Sequence, residues 1–163
     1  MQTNRLVADQ DKIFEEIYSD GRISPAAFDI LRGSCRLLKS LGFSAVSEVT
    51  LRNNRRADLI AINRNGDIWI IEIKSSLEDY KVDQKWPDYK DFCDTFYFAV
   101  NADFPVDIIP ESEGVIIADR YGADILRPAD TEKLSGARRK TVLLRAYETA
   151  ANRLQNLVDP IGY

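Results

Sequence analysis

Two carboxylates and one ammonium group in the first half of this sequence are spaced for metal-assisted hydrolysis. Asp58 lies in the segment RRADLIAI, and Glu72 and Lys74 end the apolar run IWIIEIK; between them sits the turn sequence Asn63-Arg64-Asn65-Gly66-Asp67. If the two segments are antiparallel strands, the turn decides whether the acids meet. A two-residue loop at Asn65-Gly66 sets Asp58 opposite Ile73, with the acids on opposite faces. A three-residue loop, with Gly66 in the left-handed bulge position, sets Asp58 opposite Glu72, their Cβ atoms about 5 Å apart. Asparagine at the head of the turn and glycine at the bulge suit the second option. Lys74, two residues beyond Glu72, then shares their face.

Two carboxylates this close repel unless a proton or a cation lies between them. Mg²⁺ (or Mn²⁺) would take one oxygen from each acid and fill its shell with backbone carbonyls and waters. It would polarise a phosphoryl oxygen and lower the pKa of a bound water, which Lys74 could orient. The plainer reading is strand-end pairing, with Glu72 and Lys74 balanced by Asp58 and Arg56. Either way, charge on a buried strand face needs compensation. Glu48 is a further candidate acid. A three-residue loop Arg52-Asn53-Asn54 places it opposite Asp58, whereas a two-residue loop Asn53-Asn54 places Val49 there.

Composition narrows the chemistry. The 163 residues contain no histidine and two cysteines, Cys35 and Cys93, far apart in the sequence. Histidine-based nucleophilic catalysis, His-ligated zinc and thiolate metal sites are therefore excluded, which leaves hard cations held by oxygen. An apolar fraction of 45% and a charged fraction of 29% are ordinary for a globular domain. No apolar run approaches the length of a membrane helix, no secretory signal opens the chain, and unpaired cysteines suit a reducing compartment. These features predict a cytoplasmic protein that does not engage a membrane.

The net charge is −4, so binding a polyanion needs local basic patches. Two clusters offer them: Arg138, Arg139, Lys140 and Arg145 in an acid-free stretch, and Arg52, Arg55 and Arg56. Solvated surface charge explains either cluster alone. Trp86, Tyr89 and Tyr97 are spaced for base stacking, but aromatics at such spacings more often pack a core.

The elements that must position these groups are legible as a mixed central sheet flanked by helices, in one domain spanning residues 1–163. Its core is residues 25–100, with a C-terminal hairpin and helix over residues 114–157. Helices are expected from Val7 to Tyr18 and from the Ser24-Pro25 cap to a stop at Gly42. Strands follow at Ser44–Leu51, Arg55–Asn63 and Asp67–Lys74, then a helix from Pro87 to Cys93 and a strand at Thr95–Val100. A hairpin of Gly114–Asp119 and Ala123–Arg127 precedes a helix from Gly136 to Leu157.

The pattern of Ala57-Asp58 followed by Glu72-Ile73-Lys74 on the next strand resembles the PD-(D/E)XK nuclease superfamily, with alanine where proline is usual. More closely, the stretches RRADLIAI, IEIKSSLEDYKVDQKWPDY and CDTFYFAV resemble the MmcB family of bacterial DNA-repair-related proteins over most of the chain. The resemblance implies an α/β, restriction-endonuclease-like fold and a role with DNA or repair-protein partners. It also implies that Asp58, Glu72 and the Ile73 carbonyl are metal ligands and that Lys74 assists the water. Gln84, with Lys85 as the alternative, matches a site-supporting position. The expected function is Mg-dependent hydrolysis of DNA phosphodiesters in repair; RNA is not excluded as substrate. The alternative is a catalytically silent nuclease-fold module that binds DNA or a partner.

Overall fold

The structure, a computed structural model, describes residues 8–14 and 23–160. Residues 8–14 are helical, so the expected helix from Val7 to Tyr18 lies only partly within the described residues. The elements that follow are α1 (Pro25–Ser40), β1 (Phe43–Thr50), β2 (Arg56–Asn63), β3 (Ile68–Lys74), α2 (Leu77–Val82), β4 (Thr95–Val100), β5 (Gly114–Ala118), β6 (Ala123–Arg127) and α3 (Gly136–Val158). Single 3-10 segments occupy Trp86–Phe92 and Val106–Ile108.

The six strands form one mixed sheet in sequential order from β1 to β6. The pairs β1–β2, β2–β3 and β5–β6 are antiparallel, whereas β3–β4 and β4–β5 are parallel. Parallel strands need a crossover and cover on both faces, and the sequence supplies both. All six residues of β4 (TFYFAV) are buried. On one face α1 places Ile30, Leu31 and Leu38 against Leu59, Ile71 and Ile116. On the other, Tyr80 of α2, Tyr89 of the 3-10 segment and Val142 of α3 close over Ile60, Ile70 and Phe98.

Local chemistry explains the element ends. The Ser24 hydroxyl accepts the amide of Ala27, and Pro25 fills the first turn of α1. Gly42, at φ +83°, ends it. Two differences from the sequence reading stand between β3 and β4. Residues 77–82 form a short helix where the sequence signals no element, capped by the Ser76 hydroxyl on the Asp79 amide. Six residues are too few to repeat an apolar stripe, which is why periodicity does not reveal it. The segment around Pro87 is a 3-10 helix rather than an α-helix.

Gly33 lets α1 lie against the β5–β6 turn. A Cβ there would run into the carbonyl oxygens of Asp119 and Gly122, whereas Gly122 has open space around its own Cβ position. Neighbouring contacts fix this approach: the Arg36 guanidinium donates to the Tyr121 carbonyl at 2.9 Å. Gly33→Ala is therefore expected to cost roughly 3 kcal/mol in chemical denaturation, as backbone must shift to make room. Gly122→Ala should cost far less. Equal, small losses for both would show that α1 does not need this close approach.

Candidate active site

The β2–β3 turn takes the three-residue form. Gly66 has φ +79°, its amide donates to the Asn63 carbonyl at 3.0 Å, and Asn63 N–H donates to the Asp67 carbonyl at 3.2 Å. The Asn63 side chain holds the loop closed by accepting the amides of Asn65 and Asp67, each at 2.9 Å. Pairing then runs Ile62 with Ile68, Ile60 with Ile70 and Leu59 with Ile71. The next step along the strands brings Asp58 to Glu72.

At that step the regular ladder gives way to side chains. Asp58 N–H donates to Glu72 Oε1 at 3.1 Å, and Ile73 N–H donates to Asp58 Oδ2 at 2.8 Å. Each carboxylate thus accepts a backbone amide of the opposite strand, which fixes both acids on rigid elements. The β1–β2 hairpin also takes its three-residue form, with Asn54 at φ +62° and Leu51 N–H donating to the Arg55 carbonyl at 2.8 Å. Its register, Ser47 with Leu59 and Val49 with Ala57, sets Glu48 across from Asp58. Glu48 has φ +51°, a sparsely populated conformation for a residue with a side chain. Val46 and Val49 both pack on the α3 face, so the face alternation of β1 reverses at Glu48.

These irregularities open a cleft of about 540 Å³ lined by Glu48, Asp58, Glu72, Ile73, Lys74 and the first turn of α1. Asp79 and Asp83 also line it, as does Arg56. Lys74 is only 3% exposed and Glu72 2%. The Lys74 ammonium pairs with Asp83 Oδ2 at 2.8 Å, while Asp83 Oδ1 accepts the Lys85 amide. Sequence reasoning missed Asp79 and Asp83 because α2, which carries the first and ends at the second, leaves no periodic signature. Gln84 does not reach the cleft. It is exposed, and its amide donates to the Tyr80 carbonyl at 2.6 Å, closing the end of α2. Lys85 is not among the cleft-lining residues either.

Burial and crowding act on the two central acids together. Desolvation, then the nearby charges of Asp79 and Glu48, raise Asp58 to about 6, against the partial relief of the Ile73 amide and Lys74. Desolvation and the charge of Asp58 push Glu72 well above the usual carboxylate range. Burial works against the Lys74 ammonium, but Asp83 and Glu72 outweigh it and raise its pKa. The donor set is one of hard oxygens. Among the described residues no group of three or more Asp, Glu or Cys side chains is disposed to hold a metal ion. A cation fitting here would draw on two carboxylates and a backbone carbonyl, leaving positions for water and substrate oxygens. That is how magnesium is usually held, and the donors suit it.

Residues 15–161 match the family described as DNA repair protein MmcB-like. The chain belongs to the MmcB-like family. It is also similar to a solved structure, the SPO1766 protein of unknown function from Silicibacter pomeroyi, at 40% identity and a TM-score of 0.81. The alignment covers 87% of this chain and 97% of that one. No curated protein matches the chain. No helix among the described residues is long and apolar enough to cross a membrane.

The basic clusters of this MmcB-like chain lie mostly beside its own acids, and one of their members is held in a part-buried pair. Arg139 grips the buried Asp94 through two nitrogens, at 2.6 and 2.7 Å. Arg138 pairs with Asp91 at 3.1 Å, Arg145 lies 3.9 Å from Glu148, and Arg55 pairs with Asp88 at 3.0 Å. Arg56 stands at the cleft, 3.7 Å from Glu48, with its side chain 54% exposed. Lys140 and Arg52 are exposed. Tyr89 and Tyr97 are buried and Trp86 stacks on Phe96, so these aromatics serve the core.

Asp94 also accepts the amides of Ile68 and Leu134, so it joins β3, β4 and the approach to α3. Desolvation alone would raise its pKa, but Arg139 and the two amides hold it at about 2. Arg139→Ala leaves that buried carboxylate without its partner, an expected loss of about 3 kcal/mol in denaturant unfolding. The variant should fail through stability; an unchanged midpoint with weakened DNA affinity would return Arg139 to the phosphate-binding reading.

The raised acids predict a pH dependence. A carboxyl whose folded pKa exceeds its unfolded value holds extra protons in the folded state at intermediate pH. Its contribution to stability therefore falls as pH rises from about 4 towards about 6. Asp58→Asn keeps an acceptor for the Ile73 amide and removes one charge. At neutral pH, without metal, it should melt higher than wild type by on the order of 5 °C. That difference should shrink as the solution is acidified towards pH of about 4. A difference that is absent, or independent of pH, would mean that the two acids are not crowded.

Proposed function

We propose that this MmcB-like protein is a divalent-metal-dependent phosphodiester hydrolase acting on DNA, built on a PD-(D/E)XK, restriction-endonuclease-like core. The observation that carries the reading is the meeting of Asp58 and Glu72 across β2 and β3, with buried Lys74 on the same strand two residues further. The order of α1, three antiparallel strands, a crossover and a parallel β4 agrees with such a core. The DNA repair description of the family supports DNA as the substrate class.

In this reading Asp58, Glu72 and the Ile73 carbonyl would hold Mg²⁺ or Mn²⁺, which would supply Lewis acidity and lower the pKa of a water when bound. The chain's own residues do the rest. The Lys74 ammonium, kept charged by Asp83 and Glu72, donates to the attacking water or to a non-bridging phosphoryl oxygen. Arg56, exposed at the cleft, contacts the phosphate backbone beside it. Glu48, held in strained backbone, tunes the charge at Asp58. The cleft places five acids, Glu48, Asp58, Glu72, Asp79 and Asp83, against Arg56 and Lys74. Metal-free protein should therefore repel DNA here, and affinity at this site should need the cation.

A binding module without cleavage is the second reading, favoured by the ion pair that occupies Lys74. Labelled single-stranded, duplex, nicked and branched DNAs, with RNA counterparts, incubated with Mg²⁺ or Mn²⁺ separate the two. Wild type should cut at least one DNA. Glu72→Gln and Lys74→Ala should each slow cutting on the order of 100-fold or more, with Lys74→Ala still binding DNA. In parallel, the metal should raise the melting temperature of wild type and of Lys74→Ala but not of an Asp58→Asn, Glu72→Gln double variant. Metal stabilisation and DNA binding with no cleavage of any substrate would leave the binding module. A metal effect equal in all three proteins would remove the site.

A further inference from the structure

Helix α1 and β1 both lead away from the cleft, and beside the Gly42 turn that joins them lies a second cavity, of about 480 Å³. Arg32, Arg36 and Lys39 line it at the spacing of one helix side, and Phe14, Cys35 and Phe43 add apolar wall. No acid lines it, whereas the cleft, the cavity beside Glu113 and the one at the β5–β6 turn all carry carboxylates. Asp11 pairs with Arg32 and, at 2.7 Å, with Arg120. Arg36 donates to a carbonyl, that of Tyr121, and Lys39 is exposed; neither pairs with a carboxylate among the described residues. Burial, then the neighbouring charges of Arg36 and Arg120, hold the Arg32 guanidinium below its ordinary range. Cations crowded in this way favour an anion between them. Phe43 belongs to a row of rings, 4.4 Å from Trp69, which lies 5.0 Å from Tyr97, and this packing makes it a rigid platform. Burial pushes the Cys35 thiol up to about 12, so it stays neutral, and the cavity suits binding rather than nucleophilic chemistry.

We propose that this cavity holds one nucleotide of a single DNA strand, its phosphate on Arg36 and Lys39 and its base against Phe43. Its size is that of a small-ligand site, and cations beside an aromatic platform are what a strand's phosphates and bases require. Gln10 and Ser44, both exposed, add neutral donors and acceptors for a base edge. A duplex keeps its bases paired inside its backbone, so a concave site of this kind selects unpaired strand. Ala27 and Glu48 line the cleft, and Arg36 and Ser44 line the cavity. Along α1 from Ala27 to Arg36, and along β1 from Glu48 to Ser44, the separation is about 13 Å. At the ~3.4 Å spacing of stacked nucleotides, a strand anchored here crosses the cleft about four nucleotides away. This assignment rests on the reading of DNA as the substrate class but is independent of cleavage.

Fluorescence anisotropy of a short labelled oligothymidylate with the full chain in EDTA tests the site, since the acids of the metal-free cleft then repel the strand. Wild type should bind, more weakly as salt rises. The double variant Arg36→Gln, Lys39→Gln should bind on the order of 10-fold more weakly or worse, its log-log salt slope flatter by about 1.4 units, roughly 0.7 for each lost phosphate contact. Phe43→Leu should weaken binding roughly 10-fold with the slope unchanged. Lys140→Gln, an exposed cation on α3 across the sheet, should bind as wild type does. No binding in EDTA at low salt overturns the proposal, as does a double variant that binds normally. An equal loss for Lys140→Gln would show diffuse attraction to surface charge and overturn it too. Tighter binding of the matching duplex, or competition by thymidine monophosphate at the oligonucleotide's own concentration, would overturn the single-strand assignment. If Phe43→Leu fails to fold, the double variant still decides, because Arg36 and Lys39 are exposed. Absence of cleavage leaves this binding untouched, and loss of this binding leaves metal-dependent cutting to its own test.

Discussion

The turn at residues 63–67 sets the geometry on which the candidate site depends. Gly66 in left-handed backbone and the Asn63 side chain on two amides select the three-residue loop, and the loop fixes the register of β2 against β3. Because side chains alternate between faces, a slip of one residue would send Asp58 and Glu72 to opposite sides of the sheet. Everything proposed for the site inherits this choice: the exchanged amide bonds, the crowding of the two acids, and the burial of Lys74 beside them. A few hydrogen bonds at a solvent-exposed turn thereby position charges at the other end of two strands.

The cost of that arrangement is borne by the surrounding structure. Two carboxylates and an ammonium at 3% exposure or less for Glu72 and Lys74 are unfavourable unless each finds a partner. The exchanged amides, the Lys74–Asp83 pair and the anchoring of Asp83 on the Lys85 amide supply partners without neutralising the site. Both acids remain displaced upward in pKa, the state in which a divalent cation gains most by binding, since it relieves repulsion that the fold alone cannot. Elsewhere the protein resolves buried charge completely: Asp94, with Arg139 and two amides, is held at about 2. The contrast between a satisfied carboxylate and an unsatisfied pair distinguishes a structural pin from a candidate site.

The sequence by itself determined the strands, the Ser24-Pro25 start of α1 and the three-residue loop that sets Asp58 across from Glu72, while it left the β1–β2 loop open between two forms. Turn rules act over four or five residues, and alternation acts over one strand, so both are readable without knowing the fold. The absence of histidine likewise confined the chemistry to oxygen donors before any geometry was known. What only the tertiary structure decided depends on contacts between distant segments. Asp83 reaches Lys74 because a six-residue helix turns the chain back over β3, and Gln84, one residue later, turns away to cap that helix instead. Arg139 reads as a surface cation in an acid-free stretch of sequence. It proves to be a pin because Asp94, 45 positions earlier, is folded against it. The opening at Glu48 arises where the face alternation of β1 reverses, across from Asp58 on β2. Local propensity selects the elements and their registers, but which charges meet is settled by packing, because electrostatic partners need proximity in space and not in sequence.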